Sequence, residues 1–226
     1  MRASDVAETA TGGGRPVRHR SLVSALLAGG GIGLVAALFL ILSEGPSDPV
    51  EDLAGPPMAP ADATWAAGTR PAPDFTLANQ DGRTISLSSL RGRVVLLTFL
   101  NSRCKHLCRI EGPVLGDVQR SLPEAERPVI VAVSVNPEDT SASVRTAARD
   151  WGWQPDEWHW LMGNPKQLAA VWAAYGVDVQ QAPDDVLHSG ALYVIDPAGD
   201  ERAGYATPFD QQRVMHFIRS LGAMAS

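Results

Sequence analysis

A run of apolar residues that leads directly into a pair of cysteines constrains the fold of this chain more than any other stretch. Six of the seven residues in 94–100 are apolar, with β-branched and aromatic types among them, as in a strand buried on both faces. Asn101 and Ser102 end the run, and Ser102 is predicted to cap a helix that has Cys104 in its first turn. The sequence therefore predicts a buried strand followed by a helix whose N-terminus carries thiols.

Cys104 and Cys108 are the only two cysteines of the chain, and four positions separate them. Residues at i and i+4 share a helix face with Cβ atoms about 5–6 Å apart. Two sulfurs so placed can bind one soft metal ion or, with a small adjustment, form a disulfide. The helix N-terminus favours the thiolate, and Arg103, Lys105 and Arg109 add positive charge. The spacing leaves the metal site and the redox pair open, and two cysteines packed as small apolar side chains are a less favoured third alternative.

Charge and hydropathy set the first part of the chain apart. No charged residue occurs in 22–42, a length sufficient for a helix to cross a hydrocarbon core of about 30 Å. Arginines precede this segment and acidic residues follow it, so the positive-inside rule leaves the amino terminus in the cytoplasm. We predict a cytoplasmic tail over 1–20, a single transmembrane anchor over 21–43 and a Pro/Ala-rich linker over 44–70. A cleaved signal peptide is the alternative, but no good small-x-small cleavage site follows the apolar segment.

The rest of the chain is predicted to lie outside the cytoplasm as one α/β domain over 71–226. Its formal net charge of -6, counted over the whole chain, gives no indication of nucleic-acid binding. The predicted elements are a hairpin over 75–77 and 84–87, strands over 94–100, 129–135, 159–162 and 191–195, an edge strand over 202–205, and helices over 140–151, 165–175 and 210–221. This order predicts a thioredoxin-like fold, a central mixed sheet flanked by helices, with the cysteines after the first long strand.

Several segments, in the order of the chain, resemble the Sco/SenC family. They are 73–77, 86–87, 90–99, the Cys104-x3-Cys108 pair, 133–140, 172–177, and His188 with the strand and turn up to residue 199. The resemblance covers roughly residues 71–222. It implies a membrane-anchored protein of thioredoxin fold that binds copper and helps to assemble the copper centre of cytochrome c oxidase. The cysteine ligands of the family correspond to Cys104 and Cys108, and its histidine ligand corresponds to His188.

The chemistry of this ligand set agrees with the resemblance. Two thiolates and one imidazole suit copper, either as a three-coordinate Cu(I) site or as a Cu(II) site with an open position for a weak fourth ligand. The sequence departs from the family at Lys105 and Arg109, which replace prolines, and at Leu187, which replaces an aspartate. The added positive charge lowers the pKa of the cysteines and favours thiol exchange.

Two functions therefore remain open. The first is a single-pass membrane protein that binds copper without catalysis and delivers it to the copper-centre subunit of cytochrome c oxidase or to another acceptor, with a thiol reductant keeping the cysteines reduced. The alternative is an enzyme, a membrane-tethered thiol–disulfide oxidoreductase. In it, Cys104 attacks a substrate disulfide and Cys108 resolves the mixed disulfide, which leaves a redox-active Cys104–Cys108 disulfide. His188 discriminates between the two, because only the copper site requires it.

Overall fold

The computed structural model describes residues 61–182 and 185–225, with side chains up to residue 222. The predicted cytoplasmic tail, the predicted transmembrane anchor and most of the predicted linker lie outside these residues. Within the described part of the chain, no helix is long and apolar enough to cross a membrane.

The described residues form a six-stranded central sheet and two separate two-stranded ribbons. The strands are β1 (Ala63–Thr64), β2 (Thr76–Ala78), β3 (Thr84–Ser86), β4 (Val95–Leu100), β5 (Val129–Ser134), β6 (Trp158–Leu161), β7 (Val179–Gln181), β8 (Val186–His188), β9 (Ala191–Ile195) and β10 (Glu201–Ala206). The order in the central sheet is β1-β10-β9-β4-β5-β6. Strands β4, β5 and β6 are parallel, whereas β9 and β10 run antiparallel to their neighbours. This arrangement confirms the predicted mixed sheet.

Four α-helices of the described region flank the sheet. They are α1 (Cys108–Arg120), α2 (Ser141–Asp150), α3 (Pro165–Ala174) and α4 (Gln211–Ala225), and a short 3₁₀ turn covers Leu87–Leu90. Thr140 and Asn164 cap α2 and α3 by accepting backbone hydrogen bonds, as residues of these types do at helix starts. These helices begin where the sequence predicts them, because their capping signals are local.

The core has two halves, one on each face of the sheet. Strand β4 is buried over its whole length, as its apolar run predicts. Alternate residues of this strand, Leu96 and Leu100, pack on the face that is covered by α1, α2 and α4. The residues between them, Leu97 and Phe99, pack on the face covered by α3. Helices on both faces of the sheet confirm the predicted thioredoxin-like α/β architecture.

The folded domain begins earlier than the predicted boundary at residue 71. Within the predicted linker, Ala61 is buried and β1 pairs antiparallel with β10. The Trp65 ring lies near Gly204, where a Cβ atom would approach the ring to 3.1 Å. The Arg70 guanidinium lies over the same ring, 4.2 Å from its centroid. Strand β10 is therefore an inner strand and not the predicted edge strand, because β1 pairs with its outer edge.

Candidate metal centre

The segment between β4 and α1 is a turn and not the predicted first turn of a helix. Helix α1 begins at Cys108, so Cys104 precedes it. Ser102 does not cap the helix, because its backbone N–H and its hydroxyl both donate to the carboxylate of Asp139. The Asn101 side chain accepts a further backbone hydrogen bond inside this turn. A carboxylate that is distant in sequence thus replaces the local capping interaction.

Asp139 connects this turn to the central sheet. Its second carboxylate oxygen accepts a hydrogen bond from the Ser134 hydroxyl at 2.8 Å, at the end of β5. The same hydroxyl accepts a hydrogen bond from the indole N–H of Trp160 at 2.8 Å. Burial raises the pKa of Asp139, although the hydrogen bonds from Ser102 and Ser134 act in the opposite direction. The network holds the residues before Cys104 in a fixed position.

The two cysteines are free thiols that lie in different environments. Cys104 is partly exposed, and its Sγ accepts a hydrogen bond from the backbone N–H of Cys108 at 3.4 Å. Cys108 is fully buried. The Cys104 sulfur therefore lies at the N-terminus of a helix, as predicted, although the helix starts four residues after Cys104. Unpaired N–H groups at this end of α1 favour a negative charge on that sulfur.

This arrangement separates the pKa values of the two thiols. The Cys108 thiol, which donates to Cys104, lowers the pKa of Cys104 to about 5, and backbone N–H groups assist. Burial and the carboxylate of Asp185 oppose this shift. The same pairing, together with burial, raises the pKa of Cys108 above its ordinary range. This pairing favours a thiolate at Cys104 and a thiol at Cys108 at neutral pH.

We expect iodoacetamide to alkylate Cys104 far faster than Cys108 at pH 6, because the exposed sulfur is the thiolate. The pH midpoint of the reaction should lie near 5. Cys108→Ala removes the hydrogen-bond donor and should raise this midpoint, whereas Cys108→Ser keeps a donor and serves as the matched control. Mass spectrometry of peptides identifies the modified residue. Equal alkylation of both cysteines in the unaltered protein would contradict this assignment.

His188 reaches the cysteines from the ribbon formed by β7 and β8. It is the last residue of β8, not the loop residue that the sequence predicts. Its Nε2 lies 3.7 Å from Cys108 Sγ. Its Nδ1 lies 3.2 Å from the carbonyl oxygen of Ser189, so a proton on Nδ1 donates to that oxygen. With the proton on Nδ1, the lone pair of Nε2 is the one available to a metal, as in histidines that bind metals through Nε2.

The distance between Cys108 and His188 suits two ligands of one metal ion. With a metal–sulfur distance of about 2.3 Å and a metal–nitrogen distance of about 2.0 Å, an angle of roughly 110–120° separates the two ligand atoms by about 3.5–3.7 Å. The observed separation is 3.7 Å. No three His, Cys, Asp or Glu side chains of the described region already form a complete ligand set. Cys104 is therefore not in position to complete a three-residue site with Cys108 and His188 in this structure.

Glu111 is a buried acidic residue near the cysteines that the sequence analysis did not select. It is 1% exposed, and neither carboxylate oxygen has a hydrogen-bond partner of normal geometry. Burial raises its pKa to about 7; the Thr207 hydroxyl lowers it somewhat, and Cys104 raises it. The burial of Glu111 could have been predicted from the sequence. Residue 111 lies at helical spacing from Leu115 and Val118, which are both buried.

Comparisons with known proteins agree with this fold. The sequence profile of the family described as SCO1/SenC matches residues 65–222. A SCO1 protein homolog from Bacillus subtilis is 30% identical over 146 residues, which are 60% of this chain and 76% of that protein. The family match begins at Trp65, which the structure places on the folded domain.

Solved structures share the same fold. The crystal structure of Arabidopsis thaliana ScoI with copper bound has a TM-score of 0.61 at 22% identity and covers 67% of this chain and 98% of that one. BsSco, a member of the Sco family of cytochrome c oxidase assembly proteins, has a TM-score of 0.59 at 23% identity and covers 70% and 96%. Because the family profile spans more than half of its residues, the chain belongs to the SCO1/SenC family.

Proposed function

We propose that this protein binds one copper ion through Cys104, Cys108 and His188 and passes it to a copper acceptor. The observation that carries this proposal is the 3.7 Å separation between Cys108 Sγ and His188 Nε2, which fits two ligands of one ion. These atoms come from residues 80 positions apart in the chain. A thiol–disulfide reductase has no need of an imidazole at this distance.

The donor set favours copper over other metals. Thiolates are soft ligands that select copper(I), and imidazole suits both copper oxidation states. Cys104 is ready to bind because its pKa lies near 5, whereas Cys108 has to lose its proton when the metal enters. ScoI from Arabidopsis thaliana, which shares the fold, has been solved with copper bound.

The acceptor in this proposal is the copper-centre subunit of cytochrome c oxidase. BsSco is described as a member of a family of cytochrome c oxidase assembly proteins, which supports this choice. The apolar segment 21–43 would anchor the protein in the membrane, with the folded domain on the extracytoplasmic side. A copper site there needs a thiol reductant, since the cysteines could otherwise form a disulfide.

One observation favours a second function. The pKa of Cys104 is lowered and that of Cys108 is raised, which is the asymmetry of an attacking and a resolving cysteine. Thiol–disulfide exchange with the Cys104–Cys108 pair is therefore the alternative, and the described site supports it without the participation of His188.

Copper counting separates the two functions. The full chain, reduced and loaded with Cu(I), is desalted without oxygen against a competing Cu(I) chelator. We expect one copper per chain in the unaltered protein and in His216→Ala, whose histidine is exposed on α4. His188→Ala and Cys104→Ser should lose copper, because each removes one of three ligands. If the unaltered protein holds none, or His188→Ala holds as much, the copper proposal is wrong and the reduction potential of the cysteine pair becomes the quantity to measure.

A further inference from the structure

A groove of about 760 Å³ lies between α1 and α2, beside the partly exposed Cys104. Cys104, Lys105, Asp150 and Trp151 are among the residues that line it. Thr140, which caps α2, and the α2 residues Ser143 and Thr146 add hydroxyl groups to its lining. Its volume is within the range of sites that bind peptides or small molecules.

Three of the residues that line the groove, all within five positions of Cys104 in the sequence, are positively charged. Arg103, Lys105 and Arg109 line it, and Lys105 and Arg109 are exposed. The side chains of these two form no hydrogen bond or ion pair with another described residue, whereas the Arg103 side chain lies 3.6 Å from the Glu138 carboxylate. Asp150, the acidic residue of the lining, already pairs with Arg149. The chain as a whole carries a net charge of -6, so this cationic region runs against its average.

Exposed apolar residues lie on both sides of the candidate metal ligands in the sequence. Ile110, two residues after Cys108, is 58% exposed, and Leu187, the residue before His188, is 60% exposed. Large apolar side chains with this exposure beside a reactive site are typical of a surface that contacts another protein. A site that bound only a small anion would not need exposed apolar side chains.

We propose that this groove docks an acidic segment of the protein that exchanges copper with Cys104 and Cys108. The proposal rests on the proposed function and adds the recognition step. Carboxylates of the segment pair with Lys105 and Arg109, which brings a partner cysteine to the exposed sulfur of Cys104. Complementary charge of this kind raises the rate of encounter and aligns the partner before contact.

The exchange itself is a balanced ligand substitution. An incoming cysteine thiol forms one sulfur–copper bond as one bond from copper to Cys104, Cys108 or His188 breaks. The proton of the incoming thiol passes to the ligand that is released. Copper keeps its oxidation state, so no oxidant or reductant takes part.

Peptides of opposite charge test the docking. The probes are two short synthetic peptides that carry the same Cys-x3-Cys pair, one flanked by Asp and Glu and the other by Lys and Arg. Stopped-flow measurement follows Cu(I) transfer from the loaded full chain to each peptide. We expect transfer to the acidic peptide to be about tenfold faster or more at low salt. The difference should disappear in 1 M salt, where the Debye length is about 3 Å.

Matched charge reversals locate the effect. Lys105→Glu/Arg109→Glu should abolish the preference for the acidic peptide, whereas Lys166→Glu/Arg219→Glu, exposed and outside the groove, should retain it. Equal transfer to both peptides from a fully loaded protein would overturn the docking proposal while leaving copper binding intact. A glutathione rate equal to that of the acidic peptide would also overturn it, since the groove would then select small acidic thiols.

A binding measurement keeps the two proposals separate. Versions of the peptides with serine in place of cysteine are titrated against the metal-free protein by fluorescence anisotropy. Tighter binding of the acidic version, lost in Lys105→Glu/Arg109→Glu, supports docking without reference to copper. If the protein holds no copper, the proposed function and the exchange step fail, and equal binding of the two serine peptides shows that the docking fails as well.

Discussion

The Glu111→Gln variant is expected to gain about 2–3 kcal/mol of stability relative to the unaltered protein as the pH rises from 5 to 8. The pKa of Glu111 is near 7 in the folded protein, against 4.5 for an ordinary glutamate. As the pH passes from 4.5 to 7 the unfolded chain loses this proton first, so folding stability falls with rising pH. Glutamine cannot ionise, which removes this loss while nearly the same volume stays buried.

Urea unfolding of the reduced, metal-free protein at both pH values measures this change. The exposed Glu124→Gln serves as the matched control, because it makes the same chemical replacement in contact with solvent. Its stability should follow that of the unaltered protein at both pH values. A constant difference between Glu111→Gln and the unaltered protein from pH 5 to pH 8 would show that Glu111 is charged in the folded state throughout.

The Gly112→Ala variant is expected to lose about 2–3 kcal/mol of stability. A Cβ atom at this position would lie 2.2 Å from Cδ2 of the Trp151 ring. That ring cannot move aside, since it packs against Trp153 and stacks on Trp160 with centroids 5.6 and 5.7 Å away. The indole N–H of Trp153 also donates to the carbonyl of Gly112 at 2.8 Å, which fixes the helix against the cluster.

Gly222→Ala is the matched control for this substitution. Gly222 lies on α4, and a Cβ atom there would meet nothing within 4 Å. Alanine is the better helix former, so this variant should be neutral or more stable by up to about 1 kcal/mol. Denaturant midpoints of the two variants are compared at one pH. Similar stability of both variants would mean that the Trp151 ring has room to shift.

The parts of the fold that sequence patterns predicted are those with local signals. Strands β4 and β5 stand out as apolar runs because both faces of each are buried. Helices α2 and α3 begin where Thr140 and Asn164 supply capping side chains. The missed strand β1 has only two residues, which is too short for any periodicity to show.

The candidate site was predictable only in part. The cysteine pair was visible from its spacing, but the turn that holds Cys104 depends on a hydrogen bond between Ser102 and Asp139, 37 residues away. His188 was selected through the family resemblance alone. No local pattern predicts that the β7–β8 ribbon carries its ring to Cys108, because the two residues are 80 positions apart.

The short strand β1 has a consequence for how the domain behaves at high concentration. The outer edge of β10 would otherwise present unpaired backbone N–H and C=O groups, which can pair with the edge of another molecule and begin aggregation. Strand β1 occupies these groups at Ala203 and Gly204, and Trp65 covers the adjoining surface. A soluble fragment cut at residue 71 would lose this protection. A fragment that starts before Ala61 would keep the edge closed and is the better choice for expression.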